Sequence, residues 1–576
     1  MRCFSKTCVR IAAGILMLAG IAPVLFAQTQ AKKASPAPTR PKLVVLLVVD
    51  QFRADYVDKF RGQWSAGLLR LVREGAWFRN SAYPYANTET CVGHSTISTG
   101  SFPATHGMVS NEWWDREQAK QVTCTTDANA KNLGYAGIAV RGGDSAWRMA
   151  VPTFADELRL QRGGETRVVT FSLKARAAIS LAGHRGDAVT WFDPGPGAWV
   201  TSNVYGQAPF VDEFAKANPV NEDYGKTWAP LLPASSYLYE EKAAGGVAPE
   251  GWGPSLPHPL RGKEGGAGPD SVFYFQWQTS PFSDVYLGRM AEQAVDSLKL
   301  GQGSGTDFLG ISFSALDYAG HAFGPRSHEV QDVLARLDQT LGALFAHLDR
   351  KVGTGKYVVA ISGDHGVVPI PEDMQKTGAD TGWFKVAEVG QRIEKALEPH
   401  NYPKPALASV IGGDVYFAPG VYERLKNDAL AMQAVRASLE KMPGVAVVYT
   451  AEEVVDRPAT QSPLRFATAM SYLPGRSGDL FVVPKPYWPA DYSAPGQPRR
   501  YGTTHGTPYF YDQRVPILMM GFGIRPGEYW TPATPADIAP TLAALCGITL
   551  SSRDGHALGD ALKPEVATAV NRAPKP

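Results

Sequence analysis

Residues Leu43 to Val49 form an unbroken apolar run, rich in β-branched side chains and closed abruptly by Asp50. A run with no polar alternation describes a strand covered on both faces, as in the interior of a parallel sheet. Similar runs recur at Val168 to Leu173, Phe308 to Phe313, Tyr357 to Ile361, Leu480 to Val483 and Ile517 to Met520. Helical periodicity fills intervals between them at Thr153 to Leu160, Val330 to Leu348 and Asp537 to Leu545. Before the last of these, Thr534 is placed to cap and Pro535 suits a first turn. Strands alternating with helices predict an α/β fold, a doubly wound and mostly parallel sheet with helices on both faces.

The chain has 576 residues, 44% hydrophobic and 19% charged, which excludes a disordered protein and allows a large core. One elaborated domain is expected over residues 42–562, with residues 563–576 as a tail. Near 194–280 and 371–478 the pattern gives way to Gly, Pro and aromatic residues. These segments read as insertions over the carboxyl edge of the sheet that shape substrate access. At the N-terminus, Arg2, Lys6 and Arg10 precede an apolar run from Ile11 to Phe26 and the small Ala27. That order describes a secretory signal over residues 1–27, followed by a flexible tether over 28–41, and places the mature protein in the periplasm or outside the cell. No other run is apolar and long enough to span a bilayer, so no membrane span is expected after cleavage.

Once the signal is removed, Cys91, Cys124 and Cys546 remain. Their spacing matches no zinc ribbon, and one disulfide is possible with its pairing left open. The net charge of +2, with no Lys/Arg-rich tract beside aromatic platforms, argues against a dedicated nucleic-acid partner.

The chemistry lies in residues that follow the expected strands. Asp50 comes directly after the first run; Asp317 and His321 follow Phe313; Asp364 and His365 follow Ile361 between two glycines. In open α/β sheets such residues converge outside the carboxyl ends of the strands. Asp317 and His321, four apart, share one face if their segment is helical. His505, in Gly502-Thr503-Thr504-His505-Gly506, is a sixth candidate. Taken singly, each aspartate is an ordinary turn or cap residue. Taken together, a thiolate-free set of Asp and His favours zinc over manganese or iron, with enough ligands for two ions.

A nucleophile is available in Asn87-Thr88-Glu89-Thr90-Cys91-Val92-Gly93-His94-Ser95. Thr90 precedes a helix-like stretch from Gly93 to Ser98, where helix amides attract an anion. Cys91 is its rival. Hard phosphate and a zinc able to ionise an alcohol favour the threonine.

These motifs, in this order from Leu43 to about Gly559, resemble the PafA-type alkaline phosphatases. That family lies in a superfamily with nucleotide pyrophosphatase/phosphodiesterases, sulfatases and cofactor-independent phosphoglycerate mutases. The resemblance implies hydrolysis of phosphomonoesters to alcohol and inorganic phosphate through a phosphothreonine at Thr90, with two zinc ions. It implies that Asp317, His321 and His505 hold one ion, and that Asp50, Asp364 and His365 hold the other, which also binds Thr90. Asn111, in Gly107-Met108-Val109-Ser110-Asn111-Glu112-Trp113-Trp114, matches the family's contact to a nonbridging oxygen. Lys174 and Arg176 match its pair of phosphate-binding cations, and the Cys91 amide is expected to face the same group. Two extra cations suit a monoester dianion better than a diester. The Cys-x-Pro-x-Arg segment of sulfatases is absent, since Cys91-Val92-Gly93-His94-Ser95 departs from it. The alternatives are a phosphodiesterase or nucleotide pyrophosphatase on the same metals, and a non-catalytic exported phosphate-binding module.

Overall fold

Leu43–Val49 is a strand, β1, buried along its whole length near the middle of a ten-stranded sheet. The computed structural model describes residues 40–163, 165–242, 244–455 and 462–564. The signal segment, the tether through residue 39 and the tail from residue 565 lie outside the described residues. The other strands of the central sheet are β2 (Ala76–Phe78), β3 (Asn132–Gly134), β4 (Val168–Ser172), β5 (Ala188–Asp193) and β6 (Ala198–Ser202), then β7 (Asp307–Phe313), β8 (Tyr357–Ser362), β9 (Ile517–Gly521) and β10 (Gly527–Tyr529). Their spatial order is β10-β2-β9-β8-β1-β7-β4-β5-β6-β3. Strands β8, β1, β7, β4 and β5 run parallel. At the flanks, β9 pairs antiparallel with β8, and β6 with β5. The sheet is therefore mixed and mostly parallel at its centre, as the apolar runs led us to expect.

Alternate residues of β1 enter two separate cores. Leu43, Val45, Leu47 and Val49 pack with the helices Pro281–Leu298 and His328–Leu348. Val44, Leu46 and Val48 pack on the other face with Phe154–Arg162, Ala175–Ala182 and Ile538–Cys546. Helices thus cover both faces, which is why β1 carries no polar alternation. The caps are local and sequence-encoded. Ser327 accepts from the Val330 amide at the start of one helix, and Thr153 forms a capping box with Asp156 at the start of another. Asp537 Oδ2 accepts from the Thr534 amide at 2.8 Å around a first turn opened by Pro535.

Two of the apolar runs need correction. Leu480 to Val483 is a strand, but not of the central sheet. Leu480–Pro484 belongs to a separate four-stranded antiparallel sheet with Leu407–Ile411, Asp414–Phe417 and Val445–Thr450. Leu480 and Val482 face one core while Phe481 and Val483 face another, so this strand is also buried on both sides and reads like a parallel one. Ile517 to Met520 does lie in the central sheet, but antiparallel to β8, because two-sided burial carries no information about direction. The segment from residue 384 is also more regular than its composition suggests. Helices Val386–Leu397 and Ala429–Glu440 pack on the four-stranded sheet around a core that includes Val389, Ile393, Val435 and Leu439. Among the described residues no helix is long and apolar enough to cross a membrane.

Candidate active site

Register brings the candidate residues to one edge. Val48 of β1 is level with Ser312 of β7 and Ser362 of β8, and Ser312 is level with Ser172 of β4. The chain leaving each of these four strands carries, in turn, Asp50, Asp317, Asp364 with His365, and Lys174. Asp317 and His321 lie on the helix Ala315–Phe323, one turn apart, as their spacing anticipates. His505 enters from a loop tied to the same edge, since the Gly502 and Thr503 amides both donate to the His321 carbonyl.

Thr90 is the first residue of the helix Thr90–Thr99, which begins three residues earlier than the sequence reading placed it and is buried throughout. The helix approaches the Asp364 loop so closely that a Cβ at Gly93 would lie 2.0 Å from the Asp364 carbonyl oxygen. Only glycine permits this contact, which carries the Thr90 hydroxyl to 3.5 Å from His365 Nε2.

The donors are arranged to hold cations. His321, His365 and His505 each present Nδ1 to a backbone carbonyl, those of Thr503, Gly366 and Thr88, at 2.9, 2.9 and 2.8 Å. Because a carbonyl only accepts, each Nδ1 carries the proton and each Nε2 keeps a lone pair for a ligand. His365 Nε2 lies 3.4 Å from Asp50 Oδ1 and 3.5 Å from Asp364 Oδ2, and both oxygens are buried without a hydrogen-bond partner. Orphaned buried carboxylate oxygens are costly unless a cation completes them, so the residues fit a metal centre. Two groups of possible ligands emerge, Asp50 with Asp364 and His365, and Asp317 with His365 and His505. The first is the expected triad. In the second, His365 stands in the place expected of His321, whose Nε2 lies 3.2 Å from Asp317 Oδ1 at the rim of the cluster. The stacked rings of His365 and His505, with centroids 3.5 Å apart, join the two groups into one centre.

Lys174 reaches into this centre. Its Nζ lies 2.6 Å from Asp50 Oδ2 and 2.5 Å from Asp317 Oδ2. Burial pushes the Asp50 carboxyl well above the ordinary range, with Asp317 and Asp364 adding to the rise and Lys174 opposing it. Burial acts on Asp317 in the same sense, but the neighbouring His321 imidazole and the Lys174 ammonium outweigh it and hold that carboxyl well below the range. Burial, and then the charges of His365 and His321, drive His505 well below the ordinary imidazole value, which keeps it neutral for ligation. Arg176 is half-buried with Nε unpartnered, and its charge is felt at Glu89, Lys174 and Tyr318.

Asn111 joins the site from the other side. Its Oδ1 accepts from the Cys91 amide at 2.8 Å, and its own amide donates to Glu89 Oε2 at 2.6 Å. The Cys91 amide is therefore committed to Asn111 and does not face the open site as expected. Cys91 is also withdrawn as a rival nucleophile, because it is bridged to Cys124. Cys546 is left as a free, buried thiol.

The type I phosphodiesterase/nucleotide pyrophosphatase family matches residues 44–508. Alkaline phosphatase PafA of Elizabethkingia meningoseptica is 33% identical, over 94% of this chain and 96% of that protein. Alkaline phosphatase PhoV of Synechococcus elongatus is 30% identical, over 95% of this chain and 96% of that protein. The chain belongs to the PafA-like alkaline phosphatases of this family. The crystal structure of wild-type PafA superimposes with a TM-score of 0.81 at 32% identity, covering 92% of this chain and 100% of that one. Murine ectonucleotide pyrophosphatase/phosphodiesterase 5, with a TM-score of 0.51 and 14% identity, shares the fold.

Three residues that hold the site of this alkaline phosphatase escaped the sequence reading. Gln51 donates from Nε2 to Asp317 Oδ1 at 2.7 Å and from its amide to Asp364 Oδ1 at 3.0 Å, tying the end of β1 to the candidate metal-binding aspartates that follow β7 and β8. It does so with φ of 69°. His94, one helical turn after Thr90, presents Nδ1 to the Thr90 carbonyl and Nε2 to Ser312 Oγ, both at 2.8 Å. Its Nδ1 also lies 3.1 Å from Asp364 Oδ2. Glu89 accepts from Asn111 and from Ser110 Oγ, the latter at 2.8 Å. A polar residue just past a strand end or at a helix N-cap is the signal that could have found Gln51 and Glu89.

Proposed function

We propose that this alkaline phosphatase hydrolyses phosphomonoesters by two in-line displacements at Thr90, with two zinc ions held by Asp50, Asp317, His321, Asp364, His365 and His505. The observation that carries the reading is the convergence of three Nε2 lone pairs and two orphaned carboxylate oxygens beside a hydroxyl at a helix N-terminus. When bound, the ions would supply positive charge that favours ionisation of Thr90 and of water and offsets charge on the departing oxygen.

The Thr90 oxygen attacks phosphorus, its proton passing to solvent. The Thr90 Oγ1–P bond forms as the ester P–O bond breaks, and the alcohol leaves with a proton from water. Water then cleaves the Oγ1–P bond, releasing inorganic phosphate and restoring the hydroxyl. Lys174, Arg176 and Asn111 hold the equatorial oxygens. Asn111 keeps Oδ1 on the Cys91 amide, which turns its Nδ2 donor outward to the substrate. Gln51 and His94 hold ligand and nucleophile segments in register. The disulfide suits an oxidising compartment, which supports export to the periplasm or beyond.

The test uses a monoester and a diester with the same leaving group. Each cation should contribute about ten- to hundredfold in kcat/KM on the dianionic monoester through charge-assisted hydrogen bonds. Lys174→Ala/Arg176→Ala should therefore damage monoester hydrolysis severely and diester hydrolysis much less. Equal losses on both substrates would move the diesterase reading to first place.

A further inference from the structure

The cysteine bridge is built around Asn111. Cys91 follows Thr90 in the first turn of its helix. Cys124 follows the strand Lys120–Thr123, which pairs with Glu112–Asp115 in a hairpin that begins just after Asn111. The amides of both cysteines donate to Asn111, Cys91 to the side-chain Oδ1 at 2.8 Å and Cys124 to the main-chain oxygen at 2.9 Å. The sulfur bridge therefore ties together the two amides that donate to Asn111, on either side of the site.

The helix does not need the bridge in order to dock, because every residue from Thr90 to Thr99 is buried. The hairpin does need anchoring, since Trp113 and Val122 are the buried residues of its two strands. They share a small cluster with both cysteines, Met108, Val109, Met149 and Tyr416. Opening the bridge would act mainly on the hairpin, and so on the distance between Asn111 and the Thr90 oxygen. A neutral donor gains or loses most of its effect on a transition state over displacements below an ångström.

We propose that the Cys91–Cys124 disulfide is a positioning device for catalysis, holding Asn111 at the phosphoryl oxygen beside Thr90. This rests on the reading that Asn111 contacts the transferred phosphoryl group. Cys91 and Cys124 are positioning residues, acting only through Asn111.

The test is a double-mutant cycle on the zinc-loaded enzyme, with zinc content measured for each variant. Cys91→Ala/Cys124→Ala should lower kcat/KM for a monoester about tenfold, the scale of one misaligned hydrogen bond to a charged group. In an Asn111→Ala background the same pair of substitutions should cost less than about twofold, because the donor it positions is already gone. A purely structural bridge would cost the same factor in both backgrounds, and that result, or no loss in the native background, overturns the proposal. If Asn111→Ala alone leaves turnover unchanged, the reading of the phosphate site fails first and the proposal falls with it. Should the chain without the bridge not fold, the bridge is opened in the folded enzyme and in Asn111→Ala with a phosphine. Water then supplies the oxygen of the phosphine oxide and the protons of two thiols, which are counted, and the same two ratios decide the matter.

Discussion

Lys174 is the residue whose replacement should separate the metal-free from the metal-loaded protein most sharply. Its ammonium sits between Asp50 and Asp317 at 2.6 and 2.5 Å, with its side chain 4% exposed. Asp364 lies close enough to raise the Asp50 carboxyl further. Lys174→Met keeps most of the length and the apolar stem but removes the only lysine charge bonded to these carboxylates among the described residues. Breaking a buried ion pair from one side costs about 3–5 kcal/mol, because the other charge is left uncompensated. The metal-free protein should lose that amount. The lower end applies once the Asp50 carboxyl, already raised by burial, takes up a proton. In the zinc-loaded protein the ions would neutralise the same carboxylates, and the loss should fall to well under half. Urea unfolding of wild type and Lys174→Met, followed by tryptophan fluorescence with chelator and with excess zinc, reads both values. Equal destabilisation in the two states would refute the idea that this lysine and the metals compensate the same charges.

Dialysis against a chelator should abolish turnover, and zinc should restore it at about two ions per chain. His505→Ala should lower the zinc content found by elemental analysis, and full activity in demonstrably metal-free protein would contradict the site. Asp284 is buried, accepts from the Ala315 amide at the start of the Asp317 helix, and leaves Oδ2 unpartnered. Burial raises its pKa from 3.8 to about 7. A raised folded-state value means stability that is complete below about 4 and lost as pH rises through about 7. Asp284→Asn should gain on wild type across that window by an amount on the order of 4 kcal/mol. Urea midpoints at acid and alkaline pH measure it, and a difference that does not change with pH would refute the burial argument.

The convergence of the Asp and His residues was legible because chemistry and topology coincide at strand ends. The run Leu43–Val49 announces a fully buried strand, Asp50 is its first polar residue, and parallel register then brings residues from β7, β8 and β4 to the same edge. The helical spacing of Asp317 and His321 was legible for the same reason, a local period. What depends on lateral contact was not legible. Gln51 and His94 act through neighbours 266 and 218 residues away, and the Cys91–Cys124 pairing is a matter of where a hairpin lands. Leu480–Pro484 was assigned to the wrong sheet because burial on two faces looks the same in either. The sharing of His365 between the two ligand groups depends on the stacking of two loops whose relation has no sequence period.

In the proposed mechanism phosphate passes through Thr90. Enzyme turning over a monoester can be quenched in acid, digested, and its peptides examined by mass spectrometry. The wild type should carry phosphate on Thr90, Thr90→Ser should keep activity and carry the same modification on its hydroxyl, and Thr90→Ala should show neither modification nor appreciable turnover. Phosphate trapped on another residue, or near-normal turnover by Thr90→Ala, would contradict it.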